Sequence, residues 1–294
     1  MPSVLMPDQQ QTFIRNFNRS SFEFDHTLHH LELFTVPSLF AMSARLPDPA
    51  YFSTVESAVG DGWKNVGDRR RSLQETLETM ETSNSLVLLR HCEKDPVLGP
   101  TFRRIMADVI DHVGANLGDD VEAGRATLVI SSPGRVTSYH IDAEVNYLLQ
   151  IQGEKLLHAF DPNDKTILGD SELEAFYSGD PDGARYKSER QDRAQIYALQ
   201  PGKGVHLPLH APHWAQNGAG VSVGLSINFN LRSSARSATV YKVNRRLRKA
   251  GFAPAAPGVS ALQDELKLAA FRGMSFAKPM LRYARVAGAR GERE

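Results

Sequence analysis

From Ala126 to Leu231 the chain is a succession of short apolar runs, ATLVISS, VTSYHI, NYLLQI, KLLHAF, QIYAL, VHLPL and VSVGLSINFNL, separated by turn-forming residues. Runs this short, rich in β-branched and aromatic residues, suit strands, and many of them in series predict an antiparallel sandwich or a jelly-roll barrel. Asn217-Gly218, between two such runs, predicts a hairpin. Only SELEAFYSG (171–179) and the polar stretch after it interrupt the series, where a barrel would carry a long loop. Upstream, SLQETLETMETS (72–83) predicts a short solvated helix, NSLVLLRHC (84–92) a strand, and TFRRIMADVIDHVGANLG (101–118) an amphipathic helix closing near Gly118. After Leu231 the pattern is helical again, with breaks from Gly251 to Gly258. The expected class is α+β, with a mixed N-terminal region over 1–125, the barrel over 126–231 and a basic helical appendage over 232–294.

One run carries chemistry. In VTSYHID, His140 and Asp142 stand two residues apart, so on a strand they share a face while Tyr139 and Ile141 pack on the other. Alone, such a pair is more often a surface feature; a Pro-His-Trp turn some seventy residues later in a β-rich region strengthens the metal reading. Downstream, LQPGKGVHLPLHAPHWAQNG offers His206, His210 and His213. Two imidazoles and a carboxylate form the facial triad of non-haem Fe(II) sites, which leaves three coordination positions open. The assigned ligands are His140, Asp142 and His213, the last in a Pro-His-Trp turn. His210 is the alternative third ligand, and His206, on a strand itself, reads as a lining or core residue.

Composition narrows the setting. A chain of 294 residues buries a full core, and no run of eighteen apolar residues is present to span a bilayer. The opening MPSVLMPDQQQTFIRNF lacks the order of a signal peptide, and Cys92 is the only cysteine, so no internal disulfide forms and a cytoplasmic location is expected. Net charge is zero, but residues 231–294 hold 14 Lys/Arg against 4 Asp/Glu, leaving the first 230 with 20 against 30. Leu247, Leu262, Leu266, Leu268 and Phe271 interrupt the basic segment at helical intervals, so it reads as a packed amphipathic element rather than a nucleic-acid contact.

The stretches VTSYHIDAEVNYLLQIQGEK, PGKGVHLPLHAPHW and INFNL, within about residues 125–231, together resemble the JmjC-like, cupin-type Fe(II)/2-oxoglutarate oxygenases, and most of all the asparaginyl hydroxylase branch that inhibits hypoxia-inducible factor. The resemblance implies that Thr137, three residues before His140, and Lys155, thirteen after Asp142, bind the distal carboxylate of 2-oxoglutarate. It also implies that Asn146 and Asn228 serve the end that chelates iron, and that the C-terminal helices build a homodimer. Elementary physics agrees on Lys155, because a buried ammonium needs an anion; by spacing alone it reads as a solvated turn residue after Gly153. Lys203 stands in PGKG where the family usually has Asp, at a position that shapes a turn.

The implied reaction consumes Fe(II)-bound 2-oxoglutarate and dioxygen, releases succinate and CO2, and hydroxylates an amino-acid side chain in a protein, peptide or small molecule. Desaturation and demethylation use the same oxidant. Arg135, Tyr139, Gln150 and Trp214 are the expected substrate-lining residues by position. His26, His29 and His30 read as a polar helix face, and the adjacent His91 and Cys92 cannot pair as base and nucleophile. A different class of function, a non-catalytic cupin sensor whose basic tail contacts DNA or protein, also predicts metal binding, as does a cupin enzyme that needs no 2-oxoglutarate.

Overall fold

The computed structural model describes residues 3–46, 51–53, 57–62 and 72–273. Eleven strands are described: β1 (Phe22–Asp25), β2 (Tyr51–Ser53), β3 (Leu86–Leu89), β4 (Val121–Ser131), β5 (Val136–His140), β6 (Val145–Gln152), β7 (Lys155–Ala159), β8 (Gln195–Leu199), β9 (Lys203–Leu207), β10 (His213–Asn217) and β11 (Ser222–Leu231). They form a seven-stranded sheet, in the order β1-β9-β6-β11-β4-β3-β2, and a four-stranded sheet, β5-β10-β7-β8. From β4 to β11 the chain passes back and forth between the two sheets, except at β7 and β8, which are neighbours. The resulting orders, 4-11-6-9 and 5-10-7-8, are those of an antiparallel jelly roll.

Alternation of side chains explains the layering. One face of the large sheet, through Leu128, Val145, Tyr147, Leu149, Leu225, Ile227 and Phe229, joins a single buried cluster with helices α1 (Gln10–Asn16), α2 (Val36–Ser43) and α4 (Leu98–Val113). Phe13, Leu39, Met42, Leu98, Phe102, Ile105 and Val109 supply the helical side. On the other face, Leu148, Val205 and Leu207 meet Leu157, Ala159, Tyr197, Leu199 and Ala215 of the small sheet. Strand β6 is therefore covered on both sides, which is why NYLLQI reads as a nearly continuous apolar run.

The structure departs from the expectations at several points. Asn217-Gly218 makes no hairpin, because β10 pairs with β5 and β7 whereas β11 pairs with β4 and β6. The dipeptide is instead a corner between sheets, where Gly218 N–H donates to the Glu154 carbonyl at 2.8 Å and Asn217 Nδ2 donates to Ser131 Oγ and the Ser132 carbonyl, both at 2.7 Å. The helix α4 stops at Gly114 (φ +123°), before Gly118, and a short α5 (Ala115–Asp120) follows. His213 opens a strand rather than sitting in a turn. Between β6 and β7, Gly153 (φ +67°) lies so close to the Val221 carbonyl oxygen that a Cβ there would collide with it.

Two compact units divide the chain: residues Met1–Gly169 with Ala184–Arg232, and Asp170–Gly183 with Ser233–Glu294. The first holds both sheets. In the second, Glu174 of α6 (Asp170–Tyr177) is buried and accepts two hydrogen bonds of 2.9 Å from the Arg248 guanidinium of α7 (Arg232–Lys249), and Tyr177 stacks on Tyr241. A further helix spans 261–273. Its Leu268 is buried, but Leu262 and Leu266 are 72% and 63% exposed, so the expected packed stripe is only partly realised. No helix among the described residues is long and apolar enough to cross a membrane.

Candidate metal centre

His140 closes β5 and His213 opens β10, and the two are direct partners in the antiparallel ladder between those strands. Side chains at such a pair share one face, so both imidazoles stand together; their ring centroids are 4.1 Å apart. Asp142 lies just past the end of β5 rather than on the strand itself. Its Oδ2 comes within 3.9 Å of His213 Nε2. One potential ligand atom from each of His140, Asp142 and His213 lies within 4.8 Å of the others, the only such trio among the described residues.

The backbone fixes which nitrogen each ring offers. His140 Nδ1 is 2.7 Å from the Ser138 carbonyl and His213 Nδ1 is 2.9 Å from the Ala211 carbonyl. A carbonyl only accepts, so both Nδ1 atoms carry the proton and both Nε2 atoms bear the lone pair through which an imidazole binds a cation. Burial, and then the neighbouring His140, push the His213 pKa down against the opposing pull of Asp142, keeping the ring neutral as a ligand must be. Two imidazoles, one carboxylate and no thiolate suit a divalent first-row metal and leave the set open on one side. His210 is outside the trio: it takes a left-handed turn (φ +65°) between β9 and β10. His206 is a core residue, fully buried, accepting the Asn18 N–H on Nε2 at 3.0 Å and packed against Phe22 and Tyr147.

Thr137 reaches the same face by an irregularity the sequence does not advertise. Three residues from His140, it would point away on a regular strand. Between the pairs His213–His140 and Ala215–Thr137, however, β10 advances two residues and β5 three. The extra residue is a β-bulge at Ser138-Tyr139, and it turns Thr137 back to the side of His140. Ser57 Oγ hydrogen-bonds Ser138 Oγ at 2.6 Å, and Tyr139 N–H donates to the Val59 carbonyl at 2.8 Å, which brace the bulge from outside.

Across the gap, Arg125, Asn228, Asn146 and Leu207 form one transverse row on β4, β11, β6 and β9. Leu207 belongs to the inter-sheet cluster, so the row faces the small sheet. Asn146 Nδ2 donates to Ser226 Oγ at 2.9 Å, which donates to Asn228 Oδ1 at 2.7 Å, while the buried Asn146 Oδ1 has no partner among the described residues. Lys155, at the start of β7, shares the face of Leu157 and Ala159 and stands opposite Asn217, roughly 13 Å along β10 from His213. It is 3% exposed, not solvated, and makes no hydrogen bond or ion pair among the described residues. Burial lowers its pKa to about 8. An orphaned amide oxygen and an unpaired ammonium, both facing the inter-sheet space, fit a bound organic anion.

The four expected lining residues divide. Gln150 is buried on the Asn146 face of β6 and donates to the Gln152 and Gly153 carbonyls and to Ser222 Oγ. Arg135 is buried at the opposite end of β5 from His140 and donates to the Asn84 carbonyl. Tyr139 packs on Phe160 and Tyr186, and Trp214 stacks on His158 at 3.8 Å, on the other face of the small sheet from the two histidines. Neither ring therefore lines the space between the sheets. Sequence reasoning passed over Glu144 and Arg125, whose Oε1 and Nη2 atoms are 3.0 Å apart. Burial raises the Glu144 pKa, Arg125 opposes this, and Asp142 adds to it, which places Glu144 within electrostatic reach of the trio. Its place two residues after Asp142 was the available signal.

No protein-family model matches the chain. In sequence it is 27% identical over 131 residues to HSPB1-associated protein 1 of Bos taurus, an alignment covering 42% of this chain and 27% of that protein; the chain thus spans about a quarter of that curated relative. Among solved structures it is similar to YcfD of Escherichia coli, with a TM-score of 0.53 at 12% identity over 95% of this chain and 70% of that one. It is similar also to YcfD described as a ribosomal oxygenase, with a TM-score of 0.52 at 12% identity over 92% and 67% of the two chains. For YcfD in complex with cobalt and 2-oxoglutarate the TM-score is 0.50 at 12% identity, over 95% and 69%. The likeness establishes a shared cupin-type fold.

Proposed function

We propose that this chain is an Fe(II)- and 2-oxoglutarate-dependent oxygenase that hydroxylates an amino-acid side chain in a protein, peptide or small molecule. The observation that carries the reading is the His140, Asp142 and His213 trio with both rings held in the Nδ1–H tautomer, on the same inner face as a buried cation that has no counter-ion among the described residues. When bound, the metal and its co-substrate activate dioxygen, with succinate and CO2 as co-products. His140, Asp142 and His213 hold the iron. Lys155 Nζ and the Thr137 hydroxyl bind the distal carboxylate, while Asn146 and Asn228 present amides to the chelating end. Leu148, Leu157, Leu207 and Ala215 exclude water from the space the co-substrate enters.

The fold shared with a ribosomal oxygenase crystallised with cobalt and 2-oxoglutarate supports the reading, and it favours a protein as prime substrate. The exposed Leu262 and Leu266 offer a second copy of the chain a surface for a homodimer. Cytoplasmic residence fits the single, buried Cys92. The test uses anaerobic protein given Fe(II), 2-oxoglutarate and then air. Slow succinate release without prime substrate is expected, and its loss in Lys155→Ala. Metal uptake without succinate release would overturn the oxygenase reading in favour of a metal-binding sensor.

A further inference from the structure

Glu144 follows Asp142 by two residues, in the bend just before β6, and its carboxylate meets Arg125, whose row faces the inter-sheet space. Its side chain is only 19% exposed. A carboxylate two residues from a ligand of a coordination set that is open on one side is a ready fourth ligand. Its restraint comes from elsewhere. Arg125 lies on β4, and β4 is separated from β6 by β11, so the guanidinium must cross β11, over the row that holds Asn228, to reach Glu144 at 3.0 Å.

We propose that Arg125 is a positioning residue that holds Glu144 away from the metal, keeping open a coordination position that this carboxylate would otherwise fill. The inference rests on the metal centre proposed above and deepens it: the triad supplies the ligands, and the cross-strand ion pair sets their number. An exposed ion pair of this kind contributes little to stability, and Arg125 is half exposed, so a purely structural role would leave the metal indifferent to its removal.

The experiment titrates the metal-free full chain with Co(II) alone, whose visible absorption reports coordination number and ligand set, and follows affinity and spectrum together. In Arg125→Ala and in Arg125→Gln, which keeps most of the side-chain length, Co(II) is expected to bind roughly tenfold more tightly with an altered visible band. Adding Glu144→Gln to either variant returns both readouts to those of the unaltered chain. Arg125→Lys, which retains the charge, behaves as the unaltered chain. An unchanged spectrum and affinity in both Arg125 variants, or a change that survives Glu144→Gln, overturns the role assigned to Arg125. Failure of the unaltered chain to take up Co(II) overturns the metal centre itself and this inference with it.

Discussion

His140 and His213, 73 positions apart in the chain, are direct ladder partners on β5 and β10, and each gives its Nδ1 proton to a backbone carbonyl two residues earlier, Ser138 and Ala211. Neither ring can rotate to present another nitrogen without abandoning that bond. Replacing either histidine by Ala is therefore expected to lower Co(II) affinity by at least about 100-fold while leaving the fold intact, checked by metal titration beside circular dichroism.

Burial of the Lys155 ammonium costs stability that a bound anion would offset. Its folded pKa, about 8, lies below the free value of 10.5, so the folded state binds fewer protons than the unfolded state between those values. Stability contributed by this group rises as pH climbs through that window and is at its lowest below pH 8. Lys155→Met removes the buried charge and is expected to raise metal-free stability at pH 7 by about 2–3 kcal/mol in urea unfolding. The same variant is expected to lose any thermal stabilisation that 2-oxoglutarate gives the unaltered chain; retention of that stabilisation would remove Lys155 from the proposed co-substrate site.

Thr137 offers a test that separates the proposed co-substrate site from the metal ligands. Thr137→Val keeps the shape of the side chain and removes one hydroxyl, so 2-oxoglutarate affinity is expected to fall about 3–10-fold with Co(II) affinity unchanged. Isothermal titration of the two ligands in turn reads both numbers.

Acid sensitivity follows from His206. Burial lowers its pKa to about 3 against a free value of 6.5, so it is neutral in the fold and charges on unfolding. Stability is thus lost as pH falls from about 6.5 towards 3. Between pH 7 and pH 5 the loss from this group is about 2 kcal/mol, and His206→Gln, which keeps an acceptor for Asn18 N–H, is expected to show correspondingly less of it.

Leu262→Glu with Leu266→Glu is expected to convert a dimer into a monomer in light scattering, without loss of helix content. A monomeric parent chain at micromolar concentration would dispose of the dimer.

Where residue type decides local structure, the sequence was readable. The Val-, Ile- and Leu-rich runs became β4 to β9 and β11, and the capping box of Ser72 and Glu75 opens helix α3 (Leu73–Glu78). HWAQN was not readable as a strand: it has no β-branched residue, and β10 owes its existence to two neighbours, β5 and β7, that bond it on either side. Asn217-Gly218 carried a strong local turn signal, but the pairing of its flanking strands is decided by the two-sheet topology. The bulge at Ser138-Tyr139 was invisible for the same reason. Only the register against β10 reveals that Thr137 and His140 share a face. Lys155 gave no sign of burial, since charge argues for solvent and only the surrounding layers remove it.

The insertion of β10 between β5 and β7 has a consequence for how the molecule is made. A ribosome that has released the chain only as far as β9 has delivered His140, Asp142, Asn146 and Lys155, but the last imidazole and the strand that bridges the small sheet are still to come. A cation held by His140, Asp142 and His213 together would therefore not nucleate assembly; it would be a latecomer, captured only after β10 has closed on β5 across 73 positions of chain.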